Sequence, residues 1–203
     1  MTYSCKVKEY EAGNKAVIDV LKVDKTDYNV DKEILNLKYE FKQAYSLELE
    51  YFASVALVTF YDNALEKIKK EGIKYINVTI KHPTDEKTFQ YAVSQIPYYK
   101  SAINTSALFI DNFLKSNMEA NLGYVNTQLL QKEKLLELNQ IATTISATNK
   151  IEDYSFDGFK LDPEKNIMQV KAILNADKEI FKMTIQIELA TSRITYFGIN
   201  DGL

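Results

Sequence analysis

The chain has 203 residues, 46% of them apolar and 12% aromatic, with a net charge of −3 and a pI near 5.4. That apolar content suffices for a packed core and excludes an intrinsically disordered chain. The acidic balance leaves no basic footprint for nucleic acid, and of 25 basic residues only Arg193 is an arginine, the side chain that dominates bidentate phosphate and base recognition.

Residues 3–10 alternate weakly and are read as a short strand. AVIDVLK, within 14–22, reads as a helix with Gly13-Asn14 at its start. The polar stretch 25–29 is read as a connection. Asp31 is taken as an N-cap, with Ile34, Leu35, Leu37 and Lys38 behind it. Phe41, Tyr45, Leu49, Phe52, Ala56, Phe60, Ala64 and Ile68 then recur at spacings of three or four, which predicts one long helix. It ends at KKEG, with lysines in the last turn and Gly72 as the residue past the cap.

Ile76, Val78 and Ile80 alternate with polar residues, HPTDEK is a turn, and Phe89, Tyr91 and Val93 alternate on the return. A β-hairpin over 73–96, closed by Pro97, follows. Two more helices are expected, over 101–116 and 125–147, separated by a break at 121–123. The last fifty residues read as strands, YSFDGFKL, NIMQVKAIL, EIFKMTIQIEL and SRITYFGI, joined by the short turns DPEK, NADK and AT. Ile185, Ile187 and Leu189 fall on one face, with Gln186 and Glu188 on the other.

The expected fold is therefore α+β: long N-terminal helices, a β-hairpin, two further helices and a C-terminal antiparallel meander of about four strands. It is read as a single compact domain over 1–203, or as two halves, 1–97 and 98–203.

Cys5 is the sole cysteine, so neither an intrachain disulfide nor a cysteine metal cluster can form, which fits the cytoplasm. TYSC is similar to the end of a bacterial lipoprotein signal. A cell-envelope location would follow if Cys5 were a processed lipidation site. The longest apolar run, 51–61, is eleven residues, short of the ~20 that span a membrane, so no transmembrane segment is expected.

Residues 153–164, DYSFDGFKLDPE, place Asp153, Ser155, Asp157, Gly158 and Glu164 at positions 1, 3, 5, 6 and 12 of a twelve-residue loop. That resembles the calcium loop of an EF-hand. Other features oppose the resemblance. Position 8 is Lys160 rather than apolar, no second loop exists, and DPEKN is a hairpin turn with Pro163 at its second position. The reading taken is a strand bent at Asp157-Gly158 and running into a turn, with no metal site.

His82, the only histidine, stands beside Pro83 and near Asp85 and Glu86. It is read as a hydrated turn residue rather than an acid/base group. P-loop, G-x-G-x-x-G, G-x-S-x-G and H-E-x-x-H patterns are absent. Glu48 and Glu50 flank Leu49 and, on a helix, cannot face each other. Fourteen tyrosines, among them Tyr39, Tyr45, Tyr51, Tyr61, Tyr98 and Tyr99, suit interfaces, although the Lys, Tyr and Asn bias also matches an AT-rich genome of bacterial or phage type.

The expected function is that of a non-catalytic interaction or structural protein, self-associating or part of a larger assembly, without cofactor. The alternative is a small hydrophobic ligand held between a curved sheet and helices. An enzyme using His82 or a carboxylate pair ranks third.

Overall fold

The computed structural model describes residues 8–45, 47–130, 132–148, 151–177 and 179–201. The fold is α+β, and the chain divides into two compact units, Met1–Ile96 and Pro97–Leu203.

The first unit opens on α1, Lys8–Leu21. Residues 8–10 are thus helical rather than extended, and the rest of the strand expected at 3–10 lies outside the described residues. Gly13-Asn14 sits within this helix instead of starting it. Tyr10, Gly13, Asn14 and Val17 recur at helical spacing and are buried. Tyr10 stacks on Phe60 with ring centroids 5.8 Å apart. A Cβ on Gly13 would stand 2.8 Å from that same Phe60 ring, so glycine is what lets the two helices close.

The polar stretch expected to be a connection is β1, Lys25–Asp31. It is an exposed edge strand with only Tyr28 and Val30 as apolar residues among polar and charged ones. It pairs antiparallel with β2, Ile34–Glu40. Their turn is Lys32-Glu33, with Lys32 at φ 54°. No glycine or asparagine announces it.

This hairpin overturns the long helix expected from Asp31 onward. Leu35, Leu37 and Tyr39 are buried and their neighbours less so, a period of two. The helix that does form is α2, Leu49–Lys70. It ends as expected. Gly72 takes φ 66°, its N–H donates to the Lys69 carbonyl at 3.1 Å, and the Ile73 N–H reaches the Ile68 carbonyl at 3.1 Å. Those two bonds are a Schellman motif.

The predicted hairpin follows as β3, Tyr75–Lys81, and β4, Glu86–Ala92. Because α2 carries the chain back, β2 and β3 pair in parallel, and the sheet order is β1-β2-β3-β4. On its open face Asn36 donates to Asn29 (3.1 Å), Asn77 to Asn36 (2.8 Å) and Gln90 to Asn77 (3.0 Å). One amide ladder thereby crosses all four strands. Pro97 does not close the hairpin; it stands in the first turn of α3, Ile96–Leu114, where its missing N–H costs nothing.

In the second unit the buried Asn121 accepts from Asn112 at 2.9 Å and donates to the Phe109 carbonyl at 3.1 Å. It ties the 3-10 segment Met118–Gly123 to α3. The next helix, α4, starts at Lys132 and runs to Thr148, later than the expected 125. Val125 instead forms a parallel bridge with Ile194.

The meander is β5 (Ile151–Asp162), β6 (Ile167–Ala176), β7 (Ile180–Glu188) and β8 (Arg193–Asp201), antiparallel in that order. Phe159, Val170, Ile185 and Phe197 form one buried row across it. Gly158, at φ 118°, lies where the β5–β6 register shifts, so the bend at Asp157-Gly158 is a β-bulge. Asn166, at φ 53°, and the Lys165 N–H bonded to Asp162 Oδ1 at 3.2 Å make the DPEKN turn.

Candidate functional site

Side-chain parity explains where His82 goes. Ile76, Val78 and Ile80 point to the covered face of β3, and residue 82 continues that row. Phe41 likewise continues Leu35, Leu37 and Tyr39 beyond β2. The two rings meet, with centroids 5.1 Å apart. Phe52 of α2 lies 5.3 Å away and Tyr45, from the β2–α2 connection, 5.5 Å. His82 is 5% exposed, so the hydrated turn residue expected from the sequence is a core imidazole. Only its backbone behaves as a turn group, the N–H donating to the Asp85 carbonyl at 2.7 Å.

Nε2 of His82 is buried and has no hydrogen-bond partner. Burial pushes the imidazole below its ordinary value of 6.5, and the Asp85 charge opposes that push. Glu86, the other carboxylate near it in sequence, turns away to Lys38 at 2.8 Å.

A cleft of about 340 Å³ adjoins this cluster, lined by Tyr45, Glu48, Glu50, His82, Asp85 and Lys87 among others. Glu48 is the residue before α2 and has extended backbone, φ −66° and ψ 141°. The helical argument that separates Glu48 from Glu50 therefore fails, since only one of them is helical, and both line the cleft. The orphan nitrogen, three carboxylates and an aromatic wall make it the most chemically equipped site in the first unit.

The candidate calcium ligands stand apart. Asp153, Ser155 and Asp157 follow one another along β5, and Glu164 lies in the turn beyond it. A strand advances about 3.3 Å per residue, so it spreads them where an EF-hand loop would gather them. Asp153 accepts from Asn175 at 2.6 Å. Burial pushes the Asp157 carboxyl up, against the pull of Lys171 and Lys182. Among the described residues no three or more His, Cys, Asp or Glu side chains gather to hold a metal ion. Cys5 lies outside the described residues.

A second surface lies on and before α4. Leu135, Ala142 and Ile145 are buried, yet Leu129 is 65% exposed, Leu136 58% and Ile141 39%. A groove of about 220 Å³ between α4 and the 3-10 segment is lined by Met118, Glu119, Leu122, Leu135 and Leu136. Tyrosines contribute less than expected. Tyr39 and Tyr51 are wholly buried and Tyr61 nearly so, whereas Tyr45 and Tyr98 are exposed.

No described helix is long and apolar enough to cross a membrane. No family model, no curated protein and no solved structure matches the chain.

Proposed function

We propose that the chain is a non-catalytic interaction protein that associates with further copies of itself, or joins a larger assembly, through the α4 face. One observation carries the reading: Leu136 and Ile141 are exposed among the charged and polar residues on the solvent side of α4, and Leu129 is exposed just ahead of it. A surface helix of an isolated domain keeps one apolar stripe and a polar opposite face. Leu136 lines an apolar groove, and exposed leucines such as Leu129 and Leu136 suit an interface core. The sole histidine, enclosed by Phe41, Tyr45 and Phe52, is a packing group in this reading.

The test is sedimentation equilibrium across about 1–100 μM, where interfaces of modest affinity populate. A concentration-dependent oligomer in wild type, lost in the Leu129→Ser/Leu136→Ser variant, supports the reading. A strict monomer that copurifies with no partner overturns it. The small apolar ligand is the weaker reading, since the groove of about 220 Å³ is smaller than the roughly 300–1,000 Å³ of ordinary ligand sites. Retained extra mass in native mass spectrometry would favour it.

A further inference from the structure

We infer that the outer edge of β1 docks a second copy of this chain, the two β1 strands pairing antiparallel about a two-fold axis at Tyr28. Among the described residues no strand pairs with that edge. Backbone parity fixes which groups point there. Phe41, which continues β2, donates its N–H to the Lys81 carbonyl at 2.9 Å. Residues 35, 37 and 39 therefore address β3, and residues 34, 36, 38 and 40 address β1. Opposite the latter, Asp31, Asn29, Asp27 and Lys25 turn their backbone groups to β2, and Thr26, Tyr28 and Val30 turn theirs outward. The Tyr28 N–H agrees, since it donates to Asp27 Oδ1 at 2.8 Å.

An open edge alone names no partner, and charges on an edge ordinarily discourage pairing. The order of the charges is the independent observation. A pair centred on Tyr28 sets Thr26 against Val30 and Tyr28 against its copy, so the outward backbone groups meet. It is the two-fold register of that parity that overlaps the whole of Lys25–Asp31. On the open face it sets Lys25 against Asp31 of the second copy, and Asp27 against Asn29, each twice. Asn29 ends the amide ladder. Its Oδ1 accepts from Asn36, which leaves its amide N–H groups to donate to the second copy's Asp27. The Tyr28 N–H passes to the opposing Tyr28 carbonyl, and this releases the Asp27 carboxylate for that amide. The like-charge approach of Asp27 to its copy is diagonal, and Lys38 stands opposite each Asp27 in β2. On the covered face Val30, 42% exposed although its neighbour Leu35 is buried, gains cover from Thr26. The other edge of this sheet lacks such a match. Glu86 and Lys87 of β4 point to opposite faces and cannot meet across a two-fold strand pair.

The test is sedimentation equilibrium of the full chain carrying Leu129→Ser/Leu136→Ser, so that association through the α4 face does not contribute. A dimer should form over about 10 μM to 1 mM, the range suited to a small interface. Asp31→Lys or Lys25→Asp, added to that chain, sets like charges opposite each other twice and should weaken the dimer about tenfold or more. An equimolar mixture of the two variants should associate again, because the aspartates of one then face the lysines of the other; a folding defect cannot produce that rescue. If Lys25→Asp does not fold beside Glu40, Val30→Pro serves. It deletes an outward N–H and no bond to β2, and should abolish the dimer. A monomer throughout the range, a dimer indifferent to Asp31→Lys, or a mixture no more associated than its components overturns the edge pairing. The α4 reading is judged separately, by wild type against Leu129→Ser/Leu136→Ser.

Discussion

Gly13 and His82 are residues whose roles depend on what other segments press against them. Gly13 lies in mid-helix, where alanine is ordinarily better by about 1 kcal/mol. Here the added methyl would meet the Phe60 ring at 2.8 Å, and that ring is packed rather than free to swing. Gly13→Ala should therefore lose stability, by about 1–3 kcal/mol as overpacking does, read as a lower urea midpoint. Lys15→Ala, on the exposed side of the same helix, should not.

The imidazole sets a pH dependence with a definite sign. Burial holds His82 neutral, so its folded pKa lies below that of the unfolded chain. Its contribution to stability is complete above the unfolded value of about 6.5 and drains away as pH falls through the folded value. The urea midpoint of wild type should fall between pH 7 and pH 5 by more than that of His82→Phe. Phenylalanine keeps the packing against Phe41 and Phe52 and cannot be protonated. An equal fall in both proteins would place the pH dependence elsewhere. Asp24 and Asp162 act only at lower pH, because backbone N–H groups of Lys42 and Lys165 hold their carboxyls below the ordinary 3.8.

At the scale of elements, the N-terminal sheet is tied by side chains as well as backbone. Asn77 stands at the centre of the amide ladder, accepting from Gln90 and donating to Asn36. Asn77→Ala removes both bonds and leaves two amides to find water. It should cost about 1–2 kcal/mol, since the ladder is only partly shielded. Coupling between Asn36→Ala and Gln90→Ala, measured in a double-mutant cycle, should be weak in the Asn77→Ala background and stronger in wild type.

The bulge of β5 makes a second element-scale claim. Gly158 at φ 118° lies in a region that side-chain-bearing residues avoid. Gly158→Val should cost about 1–3 kcal/mol through backbone strain. Gly123→Ala should cost much less, since no atom lies within 4 Å of a Cβ built there.

For the whole molecule, the two units solve the same problem differently. The first needs a helix crossover to make its central pair parallel, while the second folds its four strands as neighbours in sequence. Similar hairpin sequences, IKHPTDEKTFQYAV and FKLDPEKNIMQVKA, are thus built into sheets of different topology. The α4 face is the surface where intermolecular binding and stability should separate. Leu136 is already mostly exposed, so Leu136→Ser should shift the melting temperature little while reducing association.

The sequence pattern alone was enough for the C-terminal meander, the 73–96 hairpin and the end of α2. In each case the signal is local: a period of two on a half-buried face, a Pro- or Asn-bearing turn, a glycine past a helix. It was not enough for the stretch 31–48. Ile34, Leu35, Leu37 and Lys38 satisfy a helical spacing as well as a strand spacing, and the turn that decides between them is the unremarkable pair Lys32-Glu33. β1 was missed because Thr26, Tyr28 and Val30 give only a weak alternation, in an edge strand that is mostly charged and open to water. The candidate site was missed for a related reason. Its imidazole was singled out, but the turn signal of Pro83 and the polar residues after it outweighed the parity that carries the row of Ile76, Val78 and Ile80 on to residue 82. What buries it is the arrival of Phe41, Tyr45 and Phe52 from a segment about thirty or more residues earlier. Local patterns set which segments alternate and where they turn; which faces are covered, and so which polar atoms are left without partners, follows only from long-range packing.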